Sequence, residues 1–169
     1  MGGVAARARA QLSEGDIGCW VIKTAIAPDS IVAGWASGAR RQVSRCLRPS
    51  YRLGLMAPGQ RALLWLSGSD QPGVHAIGIL AGTVADGTPD PAALPETLGA
   101  SPTVEVSLWL LPSPVPREEL LSVPAMATAE VLRMPAGSNP SYLSPAQFDA
   151  LLGHLDDADA ETLREAGWR

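Results

Sequence analysis

Residues 58–80 read PGQRALLWLSGSDQPGVHAIGIL, and this stretch decides the fold class. It holds two apolar runs, one at Arg61–Leu66 and one from Val74 to Val84, separated by a segment rich in Gly, Ser, Asp and Pro. Apolar runs of this length joined by turn-forming residues are typical of buried strands in an antiparallel hairpin. The stretch therefore predicts two adjacent central strands with a loose turn between them.

Further strands are predicted on both sides of this hairpin. The segments DIGCWVIK at Asp16–Lys23 and TVEVSLWLL at Thr103–Leu111 are short apolar runs, and Arg41–Leu47 alternates weakly. Such runs favour buried strands because β-branched and aromatic residues pack well on a pleated surface. The chain then has roughly five strands. Residues 85–102 contain four prolines and are expected to form a long loop.

Short helices are expected between the strands. Pro28-Asp29-Ser30 indicates a helix start, with Gly38 as its stop, and Pro116 precedes acidic residues that favour a helix N-terminus. Ser144-Pro145-Ala146-Gln147 has the capping-box pattern, in which Ser caps the helix and Gln reaches back to it. The combined pattern predicts an α+β domain built as a small barrel.

The composition agrees with a small β-rich globular domain. The 169 residues include 17 glycines and 15 prolines, which break helices and favour turns. Hydrophobic residues make up 46% and charged residues 18%, which is typical of a packed core rather than of a disordered chain. No apolar stretch is long enough to cross a membrane, so we expect no membrane partner. Two isolated cysteines without an export signal favour a cytoplasmic protein.

Motifs for metal, cofactor or catalysis are missing from the sequence. Cys19 and Cys46 lack the spacing of a zinc site, and His75 and His154 are the only histidines. We find no phosphate-binding P-loop, no dinucleotide fingerprint and no G-x-S-x-G nucleophile motif. The sequence therefore predicts no metal, no cofactor and no enzymatic activity. We expect His75, inside an apolar strand, to be a structural residue, with a pocket-lining role as the alternative.

The net charge of −4 hides a strong segregation along the chain. Between Asp29 and Asp70 there is no acidic residue, and six arginines fall in that interval: Arg40, Arg41, Arg45, Arg48, Arg52 and Arg61. Many of the acids lie instead in the C-terminal part of the chain. Arginine is the residue of choice for holding phosphates, so this segment is a candidate for contact with a nucleic-acid backbone. We assign that role to Arg40, Arg41, Arg45 and Arg48.

Tryptophan is used five times, against one phenylalanine and two tyrosines. A flat base can stack on tryptophan, at about 1–3 kcal/mol per base. Trp20 and Trp109 lie inside apolar strands and are expected to be core residues. Trp35, in the first short helix, and Trp65, at a strand end, are the more plausible positions at the rim of a binding site.

The order of these segments resembles that of an EVE domain, a member of the PUA-like superfold that also includes the YTH readers of methylated adenine. The segments are CWVIKT (Cys19–Thr24), Tyr51-Arg52, PGQRALLWLSG (Pro58–Gly68), GVHAIGIL (Gly73–Leu80), VEVSLWLL (Val104–Leu111) and EVLRMPAGSNPSYLS (Glu130–Ser144). The resemblance implies a curved mixed sheet of about five to six strands, a pseudo-barrel flanked by short helices. It also implies a cleft that reads modified nucleic-acid bases.

Residue by residue, the resemblance places one cleft between the end of the first strand, the LW-x-SG segment and the late loop. The residues so assigned to ligand or base binding, with Trp35 added, are Lys23, Thr24, Trp35, Tyr51, Arg52, Trp65, Ser67, Gly68, Arg133, Ser138 and Asn139. This chain departs from the family at Arg45, where an aromatic residue is expected. If that aromatic forms part of a base cage, the cage is built differently here.

These observations lead to one main hypothesis and two alternatives. The main one is a non-catalytic module that reads a modified base in DNA or RNA by stacking it in an aromatic and polar cleft. The first alternative is a protein-interaction module whose arginine face is masked by its own acidic tail. The second is a small PUA-like hydrolase that uses a carboxylate or Lys23 in the cleft. We expect residues 1–14 to be a flexible leader, 15–153 the EVE-like domain and 154–169 an acidic C-terminal helix or tail.

Overall fold

The computed structural model describes residues 11–68, 70–86, 101–155 and 159–169. Its strands are β1 (Cys19–Thr24), β2 (Arg40–Cys46), β3 (Arg61–Leu66), β4 (Gly73–Leu80), β5 (Thr103–Pro116) and β6 (Ser141–Leu143). Its helices are α1 (Pro28–Ile31), α2 (Arg117–Leu121), α3 (Glu130–Arg133), α4 (Pro145–Leu152) and α5 (Ala160–Glu165). Three 3-10 turns cover Glu14–Asp16, Tyr51–Leu55 and Met126–Thr128. Most of the predicted leader and of the predicted 85–102 loop lies outside the described residues.

The six strands form one mixed sheet in the order β2-β5-β4-β3-β1-β6. The predicted hairpin is confirmed, since β3 and β4 pair antiparallel. The pairing of β1 with β3 is parallel, whereas all the other neighbouring strands of the sheet are antiparallel. The domain is therefore α+β, with an open sheet and a few short helices.

The first helix is shorter than the sequence predicted. It was expected to continue toward Gly38, but α1 is a single turn that ends at Ile31. Gly34 and Gly38 both adopt positive φ, which carries the chain out of the helix and toward β2. The capping box predicted at Ser144 is present, because its hydroxyl accepts from the Gln147 backbone at 3.2 Å and the Gln147 side chain accepts from the Ser144 backbone at 2.9 Å.

The sheet has an inner and an outer face, each with its own hydrophobic core. The inner face carries residues from β1 to β5, among them Trp20, Val43, Leu64 and Val106. The outer face carries the alternate residues, such as Val21 and Leu63, and is covered by the helices. Because side chains alternate along a strand, β1, β3, β4 and β5 contribute to both cores, whereas β2 contributes Val43 to the inner one.

The side chain of Asn139 connects the two edges of the open sheet by hydrogen bonds. The β1–β6 pairing runs from Cys19↔Leu143 to Val21↔Ser141, and the same register continued by two residues puts Asn139 opposite Lys23. There the Asn139 amide replaces a strand: Oδ1 accepts from the Lys23 backbone at 3.1 Å, and Nδ2 donates to the Lys23 carbonyl at 3.3 Å. Nδ2 also donates to the carbonyl of Cys46, the last residue of β2, at 3.3 Å. We call this junction the seam.

The C-terminal segment belongs to the core, which corrects the expectation that residues 154–169 lie outside the domain. Leu163, Ala166 and Trp168 are buried in the outer core. The Trp168 indole is 3% exposed, donates to the Gly78 carbonyl at 2.8 Å and packs edge-on against Phe148. The expectation of an acidic C-terminal helix agrees with α5, whose acidic residues form the solvent side of an amphipathic helix.

Candidate functional site

The ends of β1 and β3 bring several predicted site residues together but divide them between the two faces of the sheet. Lys23 is the register partner of Trp65, and Thr24 is the partner of Leu66. Alternation puts the first pair on the outer face and the second on the inner face. Trp65 is 3% exposed in the outer core, so its ring offers no free face for stacking.

The outer side of this edge is a network of structural contacts. The Lys23 ammonium donates to the carbonyls of Pro135 and Met134, at 3.2 and 3.4 Å. Burial lowers the pKa of Lys23, and the nearby Glu130 carboxylate partly opposes that shift. Lys23 and Asn139 thus hold the loop between α3 and β6 against β1. Arg133 and Ser138 of the same region are exposed to solvent.

Arg52 is engaged in the same network. Its guanidinium forms a two-pronged ion pair with Glu130, with both distances at 2.7 Å, and donates to the Pro140 carbonyl at 3.2 Å. Ser141 adds a hydroxyl hydrogen bond to Glu130 at 2.9 Å. The Arg52 hydrogen bond lowers the pKa of Glu130. A ligand contact by Arg52, as predicted, would have to compete with this ion pair. The neighbouring Tyr51 is 48% exposed and is therefore accessible to a ligand.

The arginines of β2 point in different directions. Arg40 lies over the Trp109 ring, with its guanidinium carbon 5.9 Å from the ring centroid, and is exposed on the outer face. Arg41 and Arg48 are also exposed. Arg45 is turned to the inner face, where its Nη2 donates to the Thr24 hydroxyl at 3.0 Å. Three of the four arginines assigned to phosphates are therefore solvent-facing, and the fourth is not.

A groove of about 300 Å³ opens beside the ends of β1 and β3. Trp35 contributes to one wall; it is packed in the inner core with 5% of its surface exposed, and a 2.8 Å hydrogen bond from its indole nitrogen to the Ala39 carbonyl fixes it. Leu66, the partner of Thr24, forms another part of the lining. The Thr24 hydroxyl accepts from the Ile26 backbone at 3.0 Å and so holds the turn that leads to the lining residues Ala27 and Pro28.

Five polar residues that line this groove were not assigned to the site from the sequence: Asp29, Ser37, Asp70, Gln71 and His75. His75 is 6% exposed, and its Nε2 lies 2.8 Å from the Gln71 carbonyl. A carbonyl only accepts hydrogen bonds, so Nε2 is the donor, and in the neutral ring Nδ1 is then an acceptor. Asp29 and Asp70 are the acidic residues at the two ends of the acid-free segment. That position in the sequence was the one signal that could have drawn attention to them.

A larger cavity, of about 530 Å³, lies at the opposite end of β1 and β3. Its lining includes Cys19, Gln60, Arg61 and Glu165, and none of the residues predicted for the site. Burial raises the pKa of the Cys19 thiol, which leaves it protonated and unreactive at neutral pH. In the described part of the chain no cluster of His, Cys, Asp and Glu could hold a metal ion. Nor does any helix described there have the length and hydropathy to cross a bilayer.

Comparison with known proteins identifies the fold. No family model and no curated protein matches the sequence. Among solved structures, a hypothetical protein from Leishmania major superposes with a TM-score of 0.61 at 16% identity, covering 89% of this chain and 99% of that one. A Pseudomonas syringae protein gives a TM-score of 0.61 at 17% identity, over 82% and 99% of the two chains.

Two further similar structures are human. The DUF55 domain of human thymocyte nuclear protein 1 gives a TM-score of 0.54 at 14% identity, over 82% of this chain and 98% of that chain. The same values hold for this human protein in complex with 5-methylcytosine-containing DNA. That domain is of the EVE type, within the PUA-like superfold. The likeness confirms the fold class expected from the sequence.

Proposed function

We propose, starting from the EVE-type, PUA-like fold of this chain, that it is a nucleic-acid-binding module that holds a modified base in the groove beside Trp35. The observation that carries the proposal is the complex of a domain with this fold and DNA that contains 5-methylcytosine. That domain is covered over 98% of its length by this chain, so the likeness extends over the whole binding unit.

The groove has the chemistry that an extruded base requires. Trp35 and Leu66 supply apolar walls, while Asp29, Asp70 and His75 supply hydrogen-bond acceptors for the amino group of a base. A base must leave its stack to enter such a pocket, and it is then read by hydrogen bonds to its edge. A methyl group adds about 0.8 kcal/mol when it is fully buried, so it can tune the affinity of a dry groove.

The exposed arginines would hold the backbone of the nucleic acid. Arg40, Arg41 and Arg48 face solvent, and each can neutralise one phosphate. Phosphate contacts position the chain without reading its sequence. Selectivity in the proposed function therefore resides in the groove, and a salt-dependent part of the affinity resides in the arginines.

We propose binding without catalysis. Lys23, the candidate base of the hydrolase alternative, donates to two backbone carbonyls, and Glu130 is held by Arg52 and Ser141. Both groups would have to break structural hydrogen bonds in order to move a proton. Replacing Lys23 by Met and measuring hydrolysis of model nucleotides tests this alternative, which requires a turnover that the substitution abolishes.

Fluorescence titration tests the main proposal. Oligonucleotides of one sequence, single- and double-stranded, DNA and RNA, with cytosine or 5-methylcytosine at the centre, are added at low salt. We expect saturable quenching of tryptophan emission, with a preference between the two bases. Asp70→Asn should weaken that preference, whereas Asp149→Asn on the exposed side of α4 should not. The proposal fails if none of these oligonucleotides binds the wild-type protein.

The self-masking alternative has one observation in its favour. Glu165 of α5 accepts a hydrogen bond from the Trp109 indole at 3.0 Å, and Arg40 lies over that same ring. Because α5 is part of the core, removing the segment would damage the fold rather than uncover a surface. The matched test is Glu165→Gln with Glu161→Gln as control. Both variants remove one negative charge from α5. If Glu165→Gln raises the oligonucleotide affinity more than Glu161→Gln does, the result favours masking.

A further inference from the structure

Arg45 is the one arginine of β2 whose environment is at odds with its charge. Its register partner is Val104, and two residues earlier Val43 pairs with Val106. All three valines belong to the inner core, so the alternation of the strand directs the Arg45 side chain to that same face. A hydrophobic or aromatic residue would be expected there.

The guanidinium is only partly satisfied. Within the described residues its Nη2 donates to the Thr24 hydroxyl, and its Nε is buried without a hydrogen-bond partner. Arg52 is paired with Glu130, but no carboxylate among the described residues lies within ion-pair distance of Arg45. Burial also lowers the pKa of Arg45. A buried donor without a partner, on an unbalanced cation, is destabilising.

The hydrogen bond from Arg45 to Thr24 does not by itself explain an arginine at position 45. The Thr24 hydroxyl already accepts from the Ile26 backbone, which by itself orients the turn after β1. A neutral side chain could serve the same packing role without a buried charge. Groups that are costly to bury and lack an internal partner are concentrated where a ligand completes them.

We propose that Arg45 is a specificity-determining residue, whose guanidinium donates to an acceptor oxygen or ring nitrogen on the edge of the bound base. This inference rests on the proposed function. Thr24 links the two features, because it accepts from Arg45 and its register partner Leu66 lines the groove. Arg45 is not itself part of the groove lining, so the proposal places the edge of the base between the groove and the Arg45 guanidinium. Donors from Arg45 and acceptors from Asp29, Asp70 and His75 together suit a base with a carbonyl or ring nitrogen beside an amino group.

A guanidinium also binds phosphate oxygens. A salt titration distinguishes a contact of Arg45 with the base from a contact with the phosphate backbone. The probes are labelled single-stranded oligonucleotides that differ only in the central base: cytosine, 5-methylcytosine, guanine, adenine or thymine. Arg45→Gln is compared with Arg40→Gln, its solvent-facing counterpart on the same strand. Affinities are measured at several salt concentrations.

We expect Arg40→Gln to weaken all five oligonucleotides alike and to reduce the salt slope by about 0.7. Arg45→Gln should leave the slope unchanged and reduce the spread of affinities among the five bases by about tenfold or more. If Arg45→Gln lowers all five affinities alike and reduces the salt slope, Arg45 contacts a phosphate. If the ranking and spread of the five affinities are unchanged, Arg45 has no role in base selection. Either result overturns the proposal. Absence of wild-type binding would instead overturn the proposed function itself.

A second measurement does not depend on any ligand. Arg45→Met keeps the length of the side chain and removes the unbalanced charge. We expect a melting temperature equal to or above that of the wild type, because the substitution fits the apolar surroundings of the inner core. A fall of several degrees, comparable to that of a core truncation such as Val43→Ala, would show that Arg45 is structural and would overturn the proposal.

Discussion

At the scale of single residues, the Asn139 side chain makes the hydrogen bonds to β1 that a longer β6 strand would make with its backbone. Strand β6 has three residues, and Pro140 before it has no backbone N–H to give. The Asn139 carboxamide has the same donor and acceptor as a peptide group and meets both polar groups of Lys23. The sequence suggested that this amide reads a base edge, but its oxygen and both of its hydrogens contact backbone groups.

Asn139→Ala should therefore destabilise the fold. It removes three hydrogen bonds and leaves two carbonyls and one N–H of the seam without their partner. We expect a loss of about 1–3 kcal/mol in the free energy of unfolding, measured by urea denaturation. Ser138→Ala, at the exposed neighbouring position, is the control and should change the free energy by less than about 0.5 kcal/mol. Equal stability of both variants would contradict the role of the seam.

Glu130 gives the fold a dependence on acid. Its pKa in the folded protein lies below the ordinary value of 4.5, mainly because of the Arg52 hydrogen bond. A lowered pKa means that the unfolded chain binds the proton more readily, so the stabilisation is complete above pH 4.5 and is lost as the pH falls through the folded-state pKa. Unfolding of Glu130→Gln should show a weaker decline of stability below pH 4.5. An identical decline in both proteins would argue against this role.

At the scale of elements, α5 is a structural part of the domain. Trp168, which follows it, fills the outer core and binds the Gly78 carbonyl. Trp168→Ala should lower the free energy of unfolding by about 3–5 kcal/mol, because it removes a large buried side chain and leaves a cavity. Arg164→Ala, on the exposed side of the same helix, is the control. Thermal unfolding monitored by circular dichroism measures both, and a small effect at Trp168 would contradict the packing.

The elements that the sequence predicted well are those with long apolar runs. Arg61–Leu66 and Thr103–Leu111 are in strands as expected, since their side chains match a buried pleated surface. Two features were outside the reach of local patterns. Strand β6 is too short to be recognised without its partner β1, and the amphipathic pattern of α5 does not tell that its apolar side packs into the outer core.

The site was predicted less completely than the fold, for a physical reason. A strand pattern tells which residues share a face but not which face is enclosed, so Trp65 and Arg45 were given roles that need solvent. Trp65 lies in the outer core and Arg45 points to the inner face. Trp35 was expected at the rim of a site; it contributes to the lining of a groove but is packed in the inner core, and Asp70 and His75 join it there only through the three-dimensional arrangement of β3 and β4.

At the scale of the whole molecule, the charge segregation is real but smaller than the sequence suggests. Of the six arginines between Asp29 and Asp70, Arg52 is paired and Arg45 is turned inward. Arg61 lies at the far end of β3, over the Phe148 ring. The arginines left for a polyanion on the β2 side are Arg40, Arg41 and Arg48.

Binding of single-stranded nucleic acid should then have a modest salt dependence. Three neutralised phosphates at about 0.7 each give a slope of about −2 in a plot of log affinity against log salt. The double variant Arg40→Gln, Arg48→Gln should bring the slope to about −0.7, whereas Arg164→Gln on α5 should not change it. A wild-type slope steeper than about −4 would show that more cations take part than the exposed arginines of β2 and its neighbourhood.

The seam also determines where the folded protein exchanges its amide hydrogens with solvent. The backbone N–H of Lys23 is held by a side-chain oxygen, and the N–H of Arg48 by the Asn139 carbonyl. Rotation of one carboxamide frees the first of these hydrogens, whereas those in the centre of β1 are released only when strands separate. In deuterated buffer Lys23 should therefore exchange faster than Val21 on the same strand. A ligand that closes the seam would slow that exchange at Lys23 long before it altered the stability of the domain.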